Sequence, residues 1–77
     1  MIDLLEFLIK PLVSDIKKVK IEKIPQGEGF NFVISIPKED IAKVIGKEGK
    51  MIRAIKNLLK IRAINEKVYV GVEVKES

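Results

Sequence analysis

Two stretches of the chain alternate with period two. Phe30, Phe32, Ile34 and Ile36 fall on one side, with Asn31, Val33 and Ser35 on the other. Val68, Val70, Val72 and Val74 likewise alternate with Tyr69, Gly71 and Glu73. Such alternation belongs to strands that bury a single face. A looser run from Ile16 to Ile24 sets Val19 and Ile21 against Lys18, Lys20 and Glu22, which predicts a third, half-exposed strand. Pro25-Gln26-Gly27-Glu28-Gly29 is rich in turn residues, so the first two strands are expected to form a hairpin. A three-stranded sheet with one apolar face requires helices to cover it.

Those helices are also legible. Asp3 followed by Glu6 fits a capping box, with Asp3 at the N-cap of a helix running to about Val13, in which Pro11 predicts a kink or a broken last turn. Pro37 ends the Phe30–Ile36 strand and opens a short helix with Ile41, Val44 and Ile45 at helical spacing. A longer helix is predicted from about Lys50 to Ala63, with Met51, Ala54, Ile55, Leu58 and Ile61 as its core stripe. Lys50, Arg53, Lys56 and Lys60 form the opposite face, and Asn65-Glu66-Lys67 the following turn. The order α-β-β-α-α-β describes a two-layer α/β (α+β) sandwich filling residues 1–77 as one domain.

The 77 residues contain no Cys, His, Trp or Thr. Disulfides, zinc sites, thiol nucleophiles and serine–histidine triads are therefore excluded, and neither metal nor cofactor is expected. A domain this short must be held by its apolar core, which thirteen Ile and eight Val can supply. Asp3, Asp15 and Asp40 are dispersed, and Ser14, Ser35 and Ser77 have no sequence-evident base, so an enzyme is not expected. No apolar run approaches the ~20 residues of a membrane span, and no secretory leader is evident, which points to the cytosol.

The net charge of +4 is unevenly placed. From Lys38 to Arg62 eight basic residues face three acidic ones, an excess of +5, while the remainder of the chain carries −1. A concentrated basic excess suits an anionic partner. Within it lies Gly46-Lys47-Glu48-Gly49, joining two amphipathic helices. Gly46 allows a tight backbone leaving the first helix. Gly49 has no side chain to keep a sugar-phosphate backbone at a distance. The second helix starts there with unpaired N–H groups and the positive end of its dipole. Lys47 and Lys50 add mobile positive charge, with Lys43 and Arg53 as flanking contacts. Glu48 is acidic in a loop suited to phosphate, although its charge also favours a helix start. The lysine is not a P-loop lysine, because the spacing of that motif is absent.

In these features the chain resembles a type II KH domain. Its length, Ile9-Lys10-Pro11-Leu12-Val13, Val44-Ile45-Gly46-Lys47-Glu48-Gly49 and Ala54-Ile55-Lys56-Asn57-Leu58-Leu59 are similar to those of the bacterial KhpA-like proteins, which are stand-alone single-KH RNA-binding proteins. The resemblance covers essentially the whole chain. It implies a groove for about four single-stranded nucleotides. One wall would be Ile41 to Ile55 and the other Phe30 to Ile36, with Pro25 to Gly29 as the variable loop. Ile34, Ile41, Val44, Ile45 and Ile52 would line or support the groove. The resemblance further implies an RNA chaperone that acts with a KhpB-like KH-containing partner and is linked to cell-envelope growth and cell shape.

Four aromatic residues, only one of them on a polar face, do not make the stacking platform of other RNA modules. The reading is a non-catalytic binder of single-stranded RNA. A protein–protein module of the same fold and a binder of single-stranded DNA are the alternatives. The first helix places seven apolar residues between Leu4 and Val13, more than a small sheet can cover, so a homodimer is expected, or a heterodimer through a similar surface with the KhpB-like partner.

Overall fold

The computed structural model describes residues 1–77. Helix α1 spans Ile2–Ile9, and single 3-10 turns follow at Lys10–Leu12 and Ile16–Lys18. Strands β1 (Lys20–Gln26) and β2 (Gly29–Ile36) precede helix α2 (Lys38–Ile45). A 3-10 turn at Lys47–Gly49 leads into helix α3 (Lys50–Glu66), and strand β3 (Val70–Glu76) follows. The strands lie in the order β1-β2-β3, with β1 antiparallel and β3 parallel to β2. The expected α+β sandwich and its hairpin are present. The β2–β3 pair is parallel because two helices carry the chain back to the starting end of the sheet.

Helix α1 differs from the expected capping box. Met1 takes the N-cap position without a side-chain cap, and Asp3 lies in the first turn. There its charge still favours the helix dipole. The α-helical ladder stops at Ile9 because Pro11 has no N–H to continue it, and Val13 is already extended. The first strand begins later than expected. Asp15 accepts a hydrogen bond from the Lys17 N–H at 3.0 Å, which stabilises the 3-10 turn there. Strand β1 then runs through Pro25, paired opposite Phe30. A proline is tolerated because β1 is an edge strand. The turn narrows to Gly27-Glu28, with Gly27 at φ 58°.

Eight fully covered side chains make the core: Leu5 and Ile9 from α1, Phe32, Ile34 and Ile36 from β2, Val44 from α2, and Ile55 and Leu59 from α3. Burying each stabilises the fold by about 1.5–3 kcal/mol. The core stripe of α3 is rotated from the expected one. Ile52, Ile55, Leu59 and Ala63 face inward, while Met51, Ala54, Leu58 and Ile61 are exposed. Helix α3 also continues to Glu66 rather than Ala63. Arg62 bonds Glu66 at 2.9 Å one turn on. The reversal comes at Lys67, whose φ is 58°. Its N–H bonds the Ile64 carbonyl at 3.1 Å and that of Val68 bonds Ala63 at 3.0 Å, a Schellman pair with lysine in place of the usual glycine.

Candidate nucleic-acid interface

The loop between α2 and α3 is set by its backbone. Gly46 adopts φ 77° and ψ 176°, a conformation open essentially to glycine alone. A β-carbon there would stand 2.6 Å from the Met51 β-carbon and 2.9 Å from the Met51 nitrogen. Gly46 is therefore required by the fold of the loop itself. Gly49 also has a positive φ, 75°, yet nothing lies within 4 Å of where its β-carbon would be. Its bare face opens outward at the start of the 17-residue α3. Between them Glu48 is left-handed at φ 56°, which is unusual for a residue with a side chain.

Arg53 helps to hold this conformation. Its Nη2 donates to the Glu48 carbonyl at 2.9 Å and its Nε to the Gly49 carbonyl at 3.3 Å. Arg53 was expected as a flanking contact to the ligand, but its guanidinium is engaged on the loop backbone. Lys47, Glu48 and Lys50 are exposed around the loop. Lys43 is exposed on α2, with its Nζ 4.0 Å from Asp40.

Asp40 was not expected to matter. It is buried, and its carboxylate accepts from the Ser14 N–H at 3.2 Å and the Ser14 hydroxyl at 3.1 Å. These bonds fasten the segment after α1 to the first turn of α2. The sequence signal available was an acidic residue in a helix first turn, which is too common to single out.

The apolar residues divide by burial. Ile34 and Val44 are fully buried and have no surface for a ligand, so they support the site from beneath. Ile41 and Ile52 are half-buried and Ile45 is exposed, so these three retain accessible surface. Strand β2, expected as a wall, is the central strand, and its residues from Phe32 to Ile36 are covered. Strand β3 forms one free edge of the sheet. There Lys56 and Lys60 of α3 line a recess with Asn31, Val70, Gly71 and Val72. With Arg53 they follow helical spacing, so basic residues continue from the loop along one flank of α3.

The family model for the KH domain of KhpA and KhpB matches residues 2–74, nearly the whole of this architecture. The chain belongs to this KH family. An RNA-binding protein KhpA of Chlamydia pneumoniae is 37% identical over 74 residues, covering 96% of this chain and 95% of that protein. The RNA-binding protein KhpA of Clostridium perfringens is 34% identical over 72 residues, covering 94% and 96%. That of Caldanaerobacter subterraneus subsp. tengcongensis is likewise 34% identical over 72 residues, covering 94% and 96%. As a member of the KhpA/KhpB family, the chain places Gly46 to Gly49 between two helices in an α-β-β-α-α-β order. No helix is long and apolar enough to cross a membrane.

Proposed function

We propose that the chain binds single-stranded RNA, without catalysis, by seating a short run of phosphates on the Gly46–Gly49 loop. The observation that carries this reading is the open approach to Gly49 at the start of α3, flanked by Lys47 and Lys50. A glycine with empty space around it lets a phosphate come close, and the helix start supplies N–H donors and positive potential. Lys43, Ile41, Ile45 and Ile52 border the same side and offer one charge and three aliphatic surfaces to the nucleotides. The curated relatives carry RNA binding in their names. The role that follows is a broad, weak RNA binder or RNA chaperone of the cytoplasm, acting with a KhpB-like partner.

The decisive variant replaces Lys47 and Glu48 together by Asp. Both glycines remain, so the loop is retained while negative charge is placed where phosphates would lie. RNA affinity is expected to collapse with little change in melting temperature, and wild-type affinity would refute the site. A parallel titration with single-stranded DNA of the same sequence tests the choice of nucleic acid.

Self-association is proposed through α3 and not mainly through α1. Leu5 and Ile9 of α1 are consumed by the core, while Met51, Leu58 and Ile61 form an exposed stripe on α3, with Phe7 exposed on the neighbouring helix. With the exposed Ala54, these residues form a stripe of 3-4-3 spacing, which is suited to pairing with its own copy around a two-fold axis.

A further inference from the structure

Tyr69 lies in the bend between α3 and β3, and its side chain is 75% exposed. Its backbone is nonetheless fastened on both sides. The Tyr69 carbonyl accepts from the Phe30 N–H at 2.8 Å, and the preceding Val68 N–H bonds Ala63 at 3.0 Å. Gly29 packs so closely beneath that a β-carbon on it would lie 2.0 Å from the Tyr69 carbonyl oxygen. An aromatic ring is thus presented to solvent from a fixed support. It borders a shallow recess of about 230 Å³ with Lys60, Ala63, Ile64, Val68 and Val70. The recess is apolar apart from Lys60, which also lines the neighbouring recess at the β3 edge with Lys56.

We infer that this recess is a second RNA contact, in which Tyr69 stacks on a nucleobase while Lys60 meets its phosphate. The inference rests on RNA binding at the glycine loop. Lys56 and Lys60 lie between the two places along one flank of α3, whose 17 residues span about 25 Å. A strand of about four nucleotides, filling only the wall from Ile41 to Ile55, stops short of Tyr69. A longer strand following the basic flank arrives at it. Stacking on a single aromatic is indifferent to base identity. The recess therefore lengthens the footprint on RNA without adding sequence preference.

The test uses intrinsic fluorescence, since Tyr69 is the only tyrosine in a chain without tryptophan. Random-sequence single-stranded RNA pools of four and of twelve nucleotides are titrated, with binding followed independently by anisotropy of end-labelled RNA. The longer pool is expected to quench tyrosine emission, and the shorter to bind without quenching. Tyr69→Ala should weaken the longer pool about tenfold and leave the shorter unchanged, and Tyr69→Phe should restore most of the loss. Unchanged emission at saturation with the longer pool, or equal binding by Tyr69→Ala, overturns the inference while the loop assignment stands. Emission that responds to protein concentration and not to RNA overturns it in favour of a second copy on the recess. Loss of binding by neither pool in the Lys47/Glu48 double variant removes the loop reading and this one with it.

Discussion

The guanidinium of Arg53 turns back five residues to bond the carbonyl of Glu48 at 2.9 Å, the residue whose backbone is left-handed at φ 56°. Non-glycine residues enter that region at a cost of about 1–2 kcal/mol, so a donor on the strained residue's carbonyl favours the loop shape. Held on the loop backbone, Arg53 is proposed to act as a positioning residue. Replacing it by Gln is expected to weaken RNA binding about three- to tenfold. The slope of log affinity against log salt should stay unchanged. A directly bound phosphate lost with Arg53 would flatten that slope by about 0.7, and such a flattening would return Arg53 to the list of ligand contacts.

A second prediction concerns the three glycines with tight or unusual surroundings. Gly29→Ala drives a β-carbon to 2.0 Å from the Tyr69 carbonyl oxygen, which the backbone cannot yield to cheaply. That variant should lose the β2–β3 pairing and most of its folded population by circular dichroism. Gly46→Ala meets Met51 at 2.6 Å and should distort the loop and lower the melting temperature. Gly49→Ala meets nothing, so it should cost only the ~1–2 kcal/mol of its positive φ while impairing RNA binding. A Gly49→Ala protein that binds RNA normally would contradict close approach at that residue.

The bonds from Ser14 to Asp40 supply a third. Asp40→Ala leaves the Ser14 N–H and hydroxyl without their partner and is expected to cost about 1–3 kcal/mol. In a domain of this size each kcal/mol corresponds to a fall of about 4–8 °C in melting temperature. Ser14→Ala removes one bond and should cost less, about 1 kcal/mol. Urea denaturation of both variants and the double variant gives the coupling, which should be at least 0.5 kcal/mol for groups in direct contact.

The exposed stripe on α3 gives a fourth. At micromolar concentration the protein should sediment at twice its 8.7 kDa mass. Leu58→Glu, at a position already 46% exposed, should return it to the single-chain mass without unfolding it. A single-chain mass for the unaltered protein up to about 100 μM would mean that the stripe serves another partner.

What the sequence disclosed followed its periodicities. Phe32, Ile34 and Ile36 were identified as core by strict alternation, and all three are fully buried. The stripe of α3 was misread because apolar residues nearly encircle it. Met51, Leu58 and Ile61 are as hydrophobic as Ile52, Ile55 and Leu59, and periodicity cannot say which set meets the sheet. Tertiary packing chose, and left the other set outside. The loop's glycines were legible from their spacing, but not their division of labour. Nothing in the letters says that Met51 crowds Gly46 while Gly49 faces open space. The bonds of Arg53 to the loop carbonyls and of Asp40 to Ser14 escaped for a related reason, since each depends on the folded shape of the chain around it.

The parallel pairing of β2 with β3 bears on how the molecule assembles. Phe30 is registered with Val70 and Ile36 with Glu76, so every rung of that ladder joins residues forty positions apart. The β1–β2 hairpin, closed by two residues, can zip at once, but it gives β2 only one neighbour. The other edge of the most hydrophobic strand waits until α2, the glycine loop and α3 have all been traversed. Closing so long a loop is the slow kind of step in folding. Until it is done, the unpaired edge of β2 is a template for any other extended chain. The same crossover that carries the glycine loop thus makes completion of the sheet the slowest event, and the half-finished sheet the species most prone to stick to its own kind.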